Sequence, residues 1–180
     1  MQLVVLGLNH KTVSVDIREQ FAISEESARS GLRHLDEQEG IEEAVVLSTC
    51  NRTEIYAVLK NGAARKTLYQ FFLALSGNSE AKKEYFFYFE GEACIRHLFE
   101  VASGLDSMVI GESQILNQIK TAYTMALSEK ATKTILNTLF HRAITTGKRV
   151  RTETRISYSA VSVSYAAVKL AEKILGGLDD

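Results

Sequence analysis

The periodicity of the apolar residues changes near residue 90, and this change constrains the fold more than any other feature of the sequence. Before residue 90, short apolar runs rich in Val, Leu and aromatic residues alternate with segments of helical periodicity. The predicted strands cover 2–8, 43–48, 54–60 and 85–89, and the predicted helices cover 24–40 and 63–76. The order β-α-β-β-α-β is typical of a split βαβ, ferredoxin-like antiparallel sheet with helices on one face. We therefore predict an α+β fold in which 1–90 form this sheet part.

After residue 90 the periodicity is helical throughout. Cys94, Leu98 and Val101 repeat at the spacing of one helix face, and similar stripes follow in two further segments. Residues 91–156 are therefore predicted to form a helical part that completes a domain spanning 1–156. A last helix at 160–175 precedes a Gly-Gly pair, and we interpret 157–180 as a linker helix leading into a further domain.

Composition excludes several classes of protein. The chain has 180 residues, no proline and a net charge of −1, so any contact with nucleic acid requires a local basic patch. Its two cysteines make no disulfide framework, and no Cys/His cluster in the sequence suggests a metal site. No Gly-x-Gly-x-x-Gly or Walker loop offers a site for a dinucleotide or ATP. Without a signal peptide or a long apolar run, the protein is expected to be cytoplasmic.

One cysteine, Cys50, follows the second predicted strand, where the apolar run VVLS gives way to TCNRTE. Side chains at strand ends often bind or react with ligands. Arg52 could favour the thiolate of Cys50 or hold a carboxylate in a bidentate contact. Alternatively, Cys50 packs as a small apolar residue and Arg52 forms a surface pair with Glu54. The residues alone leave both interpretations open.

Further candidate residues lie in the helical part. His97 is on the margin of the apolar stripe of its helix, so it is either an imidazole that assists Cys50 or a boundary histidine bonded to the backbone. Cys94, at the centre of that stripe, is predicted to be a core residue. Gln114 and Gln118 stand four residues apart on one helix face and could present two amides to a ligand.

A basic stripe is predicted on the long helix near residue 150. Lys148, Arg151 and Arg155 share one side of this helix, with Arg142 and Arg149 nearby. Most such stripes are solvated surfaces. If the protein binds RNA, this stripe is where phosphate contacts are expected.

Two long motifs, in the right order and at the right distance, resemble those of glutamyl-tRNA reductase. They are Ser48–Glu54 (STCNRTE) and Gly104–Gln114 (GLDSMVIGESQ). The resemblance covers essentially the whole chain, and its further segments are Leu8–His10, Gly147–Arg151 with Thr154, and Ala160–Ala167. One departure is Ser113, which stands where many members have proline. Proline would suit a first helical turn, and serine leaves the flanking side chains available.

The resemblance implies an enzyme that uses NADPH to reduce glutamate esterified to its tRNA. The product, glutamate-1-semialdehyde, leads to 5-aminolevulinate and the tetrapyrroles, including porphyrins. Cys50 is implied to attack the ester as a thiolate, releasing tRNA and leaving a thioester, while His97 positions or polarises the ester. We assign a substrate carboxylate to Arg52 and the α-ammonium to Glu112. The implied substrate-binding residues are Thr49, Asn51, Arg52, Ser107, Glu112, Ser113, Gln114 and Gln118.

The resemblance also implies a cofactor and partners beyond this chain. Members of the family continue into a Rossmann-like NADPH domain and a helical dimerisation domain, so the full-length protein is expected to bind NADPH and to form a homodimer. Glutamate-1-semialdehyde aminomutase is a further expected partner, and a membrane is not. We expect this chain alone to form the thioester and leak it to water, but not to reduce it. Two alternatives stay open: a glutamyl-tRNA esterase, and a non-catalytic module that docks RNA or protein.

Overall fold

The computed structural model describes residues 1–112, 114–154, 156, 168 and 170–174. The strands in this part of the chain are β1 (Gln2–Asn9), β2 (Ile41–Ser48), β3 (Arg52–Leu59) and β4 (Phe87–Glu90). They form a four-stranded sheet of order β2-β3-β1-β4, in which every pair of neighbours is antiparallel. β1 and β3 therefore occupy the centre and β2 and β4 the edges. The α+β class predicted from the sequence is confirmed at this level.

The described helices are α1 (Val15–Gln20), α2 (Glu25–Arg33), α3 (Arg65–Leu75), α4 (Gly91–Ser103), α5 (Gln114–Ser128) and α6 (Thr134–Glu153). None of them combines the length and the apolar character needed to cross a lipid bilayer. The predicted helix at 160–175 and the linker segment 157–180 lie largely outside the described residues.

Several element boundaries differ from the sequence-based prediction. α1 was not predicted from the sequence, because six residues are too few to show a helical apolar stripe. Ser24 is the N-cap of α2 as predicted, and its hydroxyl accepts a hydrogen bond from the N–H of Ser27 at 3.1 Å. α2 ends at Arg33 rather than near Gly40, since Leu35–Glu37 form a separate 3-10 turn. Another 3-10 turn, at Lys83–Tyr85, precedes β4, which therefore begins at Phe87 rather than at Tyr85.

Helices cover both faces of the sheet. On one face, the Arg65 guanidinium of α3 lies 3.8 Å from the ring centroid of Tyr88 on β4. On the other face, Tyr56 of β3 packs edge-on against Phe140 of α6, with 5.5 Å between the ring centroids. Because both faces are covered, all eight residues of β3 are buried, although the sequence alternates between apolar and polar there. The polar side chains of β3 are consequently forced into the interior.

Glu43 ties the edge strand β2 to the start of α6. Its side chain is buried, and its carboxylate accepts hydrogen bonds from the backbone N–H groups of Lys133, Ile135 and Leu136 at 2.7, 3.2 and 2.9 Å. N–H groups at a helix start have no partner within the helix, and a negative charge is favourable there. Glu43 therefore caps a helix that begins about 90 residues later in the chain.

The helices α4 and α6 approach closely at Gly147. A Cβ atom added to Gly147 would lie 2.5 Å from the carbonyl oxygen of Ala102 and 3.0 Å from Cδ1 of Leu116. The nearest obstacle is helix backbone, which cannot move aside as a flexible side chain would. The crossing of the two helices therefore requires glycine at this position.

Replacing Gly147 with alanine is expected to lower the free energy of unfolding by about 1–3 kcal/mol. Alanine favours a helix over glycine by about 1 kcal/mol, but the overpacking against the backbone of Ala102 outweighs this gain. Urea unfolding measures the difference. Gly62→Ala is the matched control, because a Cβ there meets nothing nearer than the Gln2 amide oxygen at 3.6 Å. Equal stability of the two variants would contradict the close helix contact.

Candidate active site

Cys50 lies at the tip of the tight connection between β2 and β3. The N–H of Thr49 donates to the carbonyl oxygen of Arg52 at 2.8 Å. The Thr49 hydroxyl oxygen accepts hydrogen bonds from the N–H groups of Asn51 and Arg52, both at 3.2 Å. Cys50 itself is exposed. Thr49 thus shapes a turn that holds one thiol towards solvent.

The second cysteine, Cys94, is enclosed where Cys50 is accessible. Cys94 is fully buried in α4, as the apolar stripe predicts. Burial, together with the nearby Glu54 carboxylate, raises the pKa of the Cys94 thiol to about 12. Since a thiolate is the reactive form of cysteine, Cys50 is the accessible candidate of the two.

The segment that follows β1 braces the Cys50 turn from the side. The N–H of His10 donates to the carbonyl oxygen of Asn51 at 3.1 Å. Arg18 of α1 donates through Nε to the carbonyl oxygen of Cys50 at 3.3 Å. Asn9, paired with Arg52 in the β1–β3 register, organises this segment by accepting the N–H of Lys11 at 2.9 Å. The resemblance motif at Leu8–His10 therefore lies against the Cys50 turn.

Behind the turn, Arg52 and Glu54 point from β3 into the interior, where they form a buried ion pair. Arg52 Nη1 donates to a carboxylate oxygen of Glu54 at 2.8 Å and to one of Asp106 at 3.0 Å, and Nη2 donates to the Asp106 backbone carbonyl. Lys11 pairs with the second carboxylate oxygen of Asp106. The surface pair between Arg52 and Glu54 that the sequence allows is thus a pair inside the protein, with side chains 1% and 0% exposed.

His97 and Tyr56 complete this cluster around Glu54. His97 Nε2 lies 3.1 Å from one carboxylate oxygen of Glu54, and the Tyr56 hydroxyl donates to the other at 2.7 Å. The His97 ring also contacts Phe87 and Phe89, with centroids 5.0 and 5.3 Å apart. His97 is therefore not a boundary histidine bonded to backbone, because its partner is a buried carboxylate.

The charges of the cluster shift the pKa values of its members. Burial would by itself raise the pKa of Glu54, but the charge of Arg52 and the hydrogen bonds from His97 and Tyr56 outweigh it, so this pKa lies below the usual 4.5. At Asp106 burial would also raise the pKa. The hydrogen bond from Lys11 and the charge of Arg52 outweigh it, so this pKa lies below the usual 3.8. Both carboxyl groups are therefore ionised at neutral pH.

Two grooves are lined by candidate site residues. One, of about 360 Å³, brings His97 and Asp106 together with side chains of the β1 segment and of α4. Its lining residues include Asn9, Lys11, Phe87, Phe89, Arg96 and Glu100. The other, of about 430 Å³, is lined by Gln114 and Gln118 of α5 and by Ser48, two residues before Cys50. The two amides predicted from their spacing do face a common groove.

The segment between α4 and α5 places the remaining candidates. Gly104 and Gly111, both with positive φ, are joined by a hydrogen bond of 2.9 Å from the N–H of Gly111 to the carbonyl oxygen of Gly104. Ser107 is buried within this turn, beside Asp106. The Glu112 backbone carbonyl accepts a hydrogen bond from Arg151 at 2.8 Å. Ser113 lies outside the described residues.

The predicted basic stripe on α6 is only partly a free surface. Arg151 is bonded to the Glu112 carbonyl, so it holds the α4–α5 segment. Arg149 pairs with Glu153 on the same helix, and Lys148 is exposed. Arg155 lies outside the described residues. A role of this stripe in RNA binding stays a prediction.

The structure brings together some predicted residues and adds others. Cys50 and Arg52 share one turn and strand start, and Arg52 is linked to His97 through Glu54. Within the described residues no hydrogen bond joins Cys50 to His97. Sequence reasoning did not select Asp106 as a site residue, although it lies within the quoted motif 104–114. It also missed four more residues of the site: His10, Lys11, Arg18 and Tyr56. In the part of the chain that is described, no three His, Cys, Asp or Glu side chains converge as a metal site.

Comparisons with known proteins point to one family. A family described as glutamyl-tRNA(Glu) reductase, N-terminal domain, matches residues 6–154. The glutamyl-tRNA reductase of Geobacter metallireducens is 52% identical over 182 residues, covering 100% of this chain and 42% of that protein. That of Trichlorobacter lovleyi is 49% identical with the same coverage. A solved structure described as glutamyl-tRNA reductase from Methanopyrus kandleri matches with a TM-score of 0.76 and 38% identity, over 99% of this chain and 41% of that one.

The buried carboxylates predict how stability responds to acid. A carboxyl group whose pKa is lowered by folding stabilises the protein above its unfolded pKa, and this contribution is lost as the pH falls. The urea midpoint of the protein should therefore drop as the pH falls below the ordinary pKa values of 4.5 and 3.8 and through the lowered ones, as Glu54 and Asp106 become protonated. Glu54→Gln should lose about 3–5 kcal/mol at pH 7, because Arg52 loses a partner, and should show a shallower acid dependence.

Glu92→Gln is the control for this experiment, because Glu92 is an exposed residue paired with Arg96 on the surface. Its midpoint should follow that of the unmodified protein at every pH. Parallel curves for Glu54→Gln and the unmodified protein would show that Glu54 does not carry the acid sensitivity.

Proposed function

This chain belongs to the family of the glutamyl-tRNA reductase N-terminal domain, and we propose that it provides the acyl-transfer site of such an enzyme. The chain spans about two fifths of the length of the curated relatives that it matches, with 42% coverage of the two described above. The observation that carries the proposal is the exposed Cys50 thiol on a turn that is held on three sides by hydrogen bonds.

In the proposed reaction, the Cys50 sulfur attacks the ester carbonyl between glutamate and the 3′ ribose of its tRNA. A carbon–sulfur bond forms, the carbon–oxygen ester bond breaks, and the departing ribose oxygen takes up the proton that the thiol released. The thioester that remains is more reactive towards a hydride than an oxygen ester, so one difficult step becomes two easier ones. The rigid Cys50 turn supports this role because attack requires a fixed direction of approach.

His97 is proposed to position or polarise the ester. Because the Glu54 carboxylate can only accept, Nε2 of a neutral His97 ring carries the proton and donates to it. Nδ1 is then the acceptor of the ring. His97 lines the groove that also holds Asp106, and this groove is our proposed path for the substrate towards the Cys50 turn.

The remaining predicted substrate contacts stay part of the proposal. They are Thr49, Asn51, Arg52, Ser107, Glu112, Ser113, Gln114 and Gln118. For Arg52 the environment narrows the possibilities: its Nη atoms already serve Glu54 and Asp106, so a substrate carboxylate would use the donors left over. Gln114 and Gln118 would act from the neighbouring groove beside Ser48.

Reduction of the thioester is proposed to need the rest of a full-length enzyme. The described residues form an antiparallel sheet, and the sequence has no glycine-rich phosphate loop, so they do not fit NADPH and no reduction step is assigned to them. When bound elsewhere in the enzyme, NADPH would supply the hydride. A homodimer and a docking contact with glutamate-1-semialdehyde aminomutase belong to the same full-length assembly as further proposals.

The ferredoxin-like class of the sheet is likewise our proposal. Each of the two crossovers, from β1 to β2 and from β3 to β4, passes over one strand that runs in the opposite direction. This arrangement supports a pair of interlocked split βαβ units, with α1 as an addition to the first crossover.

Mixing the protein with glutamyl-tRNA in the absence of NADPH tests the nucleophile. After an acid quench, intact mass spectrometry and peptide mapping should find a glutamyl group on the peptide that contains Cys50. Cys50→Ser should abolish the adduct, since a serine hydroxyl is a much weaker nucleophile at neutral pH. Cys94→Ala is the matched control and should keep it.

An adduct that persists in Cys50→Ser would move the nucleophile elsewhere. If the unmodified protein forms no adduct and does not accelerate deacylation of the tRNA, it is not an acyl-transfer site, and a docking role becomes the better explanation. Accelerated deacylation that depends on Cys50, without a trapped adduct, would instead indicate the esterase activity considered above.

A further inference from the structure

Arg18 is a buried cation bonded to the backbone beside Cys50. It is 9% exposed. Its Nε donates to the carbonyl oxygen of Cys50 at 3.3 Å, and its Nη1 donates to that of Val13 at 2.9 Å. Among the described residues, no carboxylate oxygen lies within 4.0 Å of its guanidinium. A buried charge without a counter-ion is costly, so an anionic ligand would stabilise Arg18.

Arg52, unlike Arg18, has carboxylate partners. Arg52 is compensated by Glu54 and Asp106, and Asp106 also pairs with Lys11. Lys11 and Arg52 thus take up both carboxylates of the buried cluster. Arg18 is the cation that lacks a contact with either carboxylate, and it is the one bonded to Cys50 itself.

His10 provides a second, independent observation at the same place. Its backbone N–H holds the Cys50 turn through Asn51, and the Nδ1 atom of its ring is enclosed without any hydrogen-bond partner in the described structure. Burial, followed by the charge of Arg52, lowers the pKa of His10, so the ring is neutral at pH 7 and can donate through one nitrogen. An enclosed polar atom without a partner is rare in native proteins, and a ligand oxygen or a water molecule would satisfy it.

We propose that Arg18 and His10 form an anion subsite beside Cys50 that receives an anionic oxygen group of the substrate. This group is either the phosphodiester next to the terminal nucleoside of the tRNA or the side-chain carboxylate of the glutamyl residue, which Arg52 and Arg18 would then share. The inference rests on the proposed function for the identity of the ligand, because both groups belong to glutamyl-tRNA. The positive charge of the subsite does not depend on the proposed function.

Alkylation of Cys50 by iodoacetate and by iodoacetamide measures this charge. With both reagents the thiolate sulfur forms a bond to carbon and displaces iodide, so the thiolate fraction cancels in the ratio of the two rates. Only the anionic reagent responds to a neighbouring cation. Covalent geometry places the Arg18 guanidinium within about 8 Å of the Cys50 sulfur. At low salt, Arg18→Gln should therefore lower the iodoacetate-to-iodoacetamide ratio about three- to tenfold.

Two further variants calibrate this measurement. Arg18→Lys should keep the ratio within about twofold of the unmodified protein, because the charge remains. Arg33→Gln, which removes an exposed arginine of α2 paired with Glu129, should leave it unchanged. A folded Arg18→Gln protein with an unchanged ratio would overturn the proposal. If Arg18→Gln does not fold, a ratio in the unmodified protein that fails to fall with rising salt would overturn it equally.

Stable amide analogues distinguish the two sources of the anion. Calorimetry would compare 3′-deoxy-3′-glutamylamido-adenosine, its 5′-phosphate, and the corresponding glutaminyl compounds. If the subsite binds phosphate, Arg18→Gln should weaken only the two 5′-phosphates, by about tenfold. If it binds the side-chain carboxylate, both glutamyl compounds should weaken and the glutaminyl compounds should not.

If Arg18→Gln weakened the binding of all four analogues equally, Arg18 would only support the turn, and the proposed anion subsite would be wrong. Neither the alkylation ratio nor the analogue binding requires acyl transfer. A charge-dependent ratio in a protein that forms no thioester would therefore refute the proposed function and leave the anion subsite standing.

Discussion

The buried ion pair between Arg52 and Glu54 is the interaction around which this domain is organised. Two charges on one face of the central strand β3 are tolerable in the interior only if every donor and acceptor finds a partner. Asp106, His97 and Tyr56 supply those partners, and they come from the α4–α5 segment, from α4 and from β3 itself. The need to satisfy one buried pair thus fixes where the helical part sits on the sheet.

The buried cluster around Arg52 also fixes the position of the Cys50 turn. Arg52 is both the first residue of β3 and the partner of Asp106, and its backbone closes the turn through Thr49. The exposed Cys50 and the buried cluster are therefore joined through the backbone at Arg52 rather than by a direct contact. Such a design would separate the rigid support of the proposed nucleophile from the groove proposed for its substrate.

Features that depend on local sequence were predictable, and those that depend on distant contacts were not. The strand runs, the Ser24 cap, the buried Cys94 and the position of Cys50 at a strand end all follow from periodicity and turn chemistry. The partners of Arg52 did not, because Asp106 is 54 positions away and a charged side chain in an alternating strand suggests a solvent face. The role of Arg18 was not predictable either, because its short helix α1 has no apolar stripe.

The Glu43 cap also makes β2 a mechanical link. One end of this edge strand is anchored to the first turn of α6, and the other end leads directly into the Cys50 turn. Seven residues of extended chain, about 23 Å, separate the two points, and an extended strand can scarcely be stretched. If the start of α6 moved along the axis of β2, the Cys50 thiol would therefore move by a comparable distance. The two ends of β2 need no direct contact for this coupling.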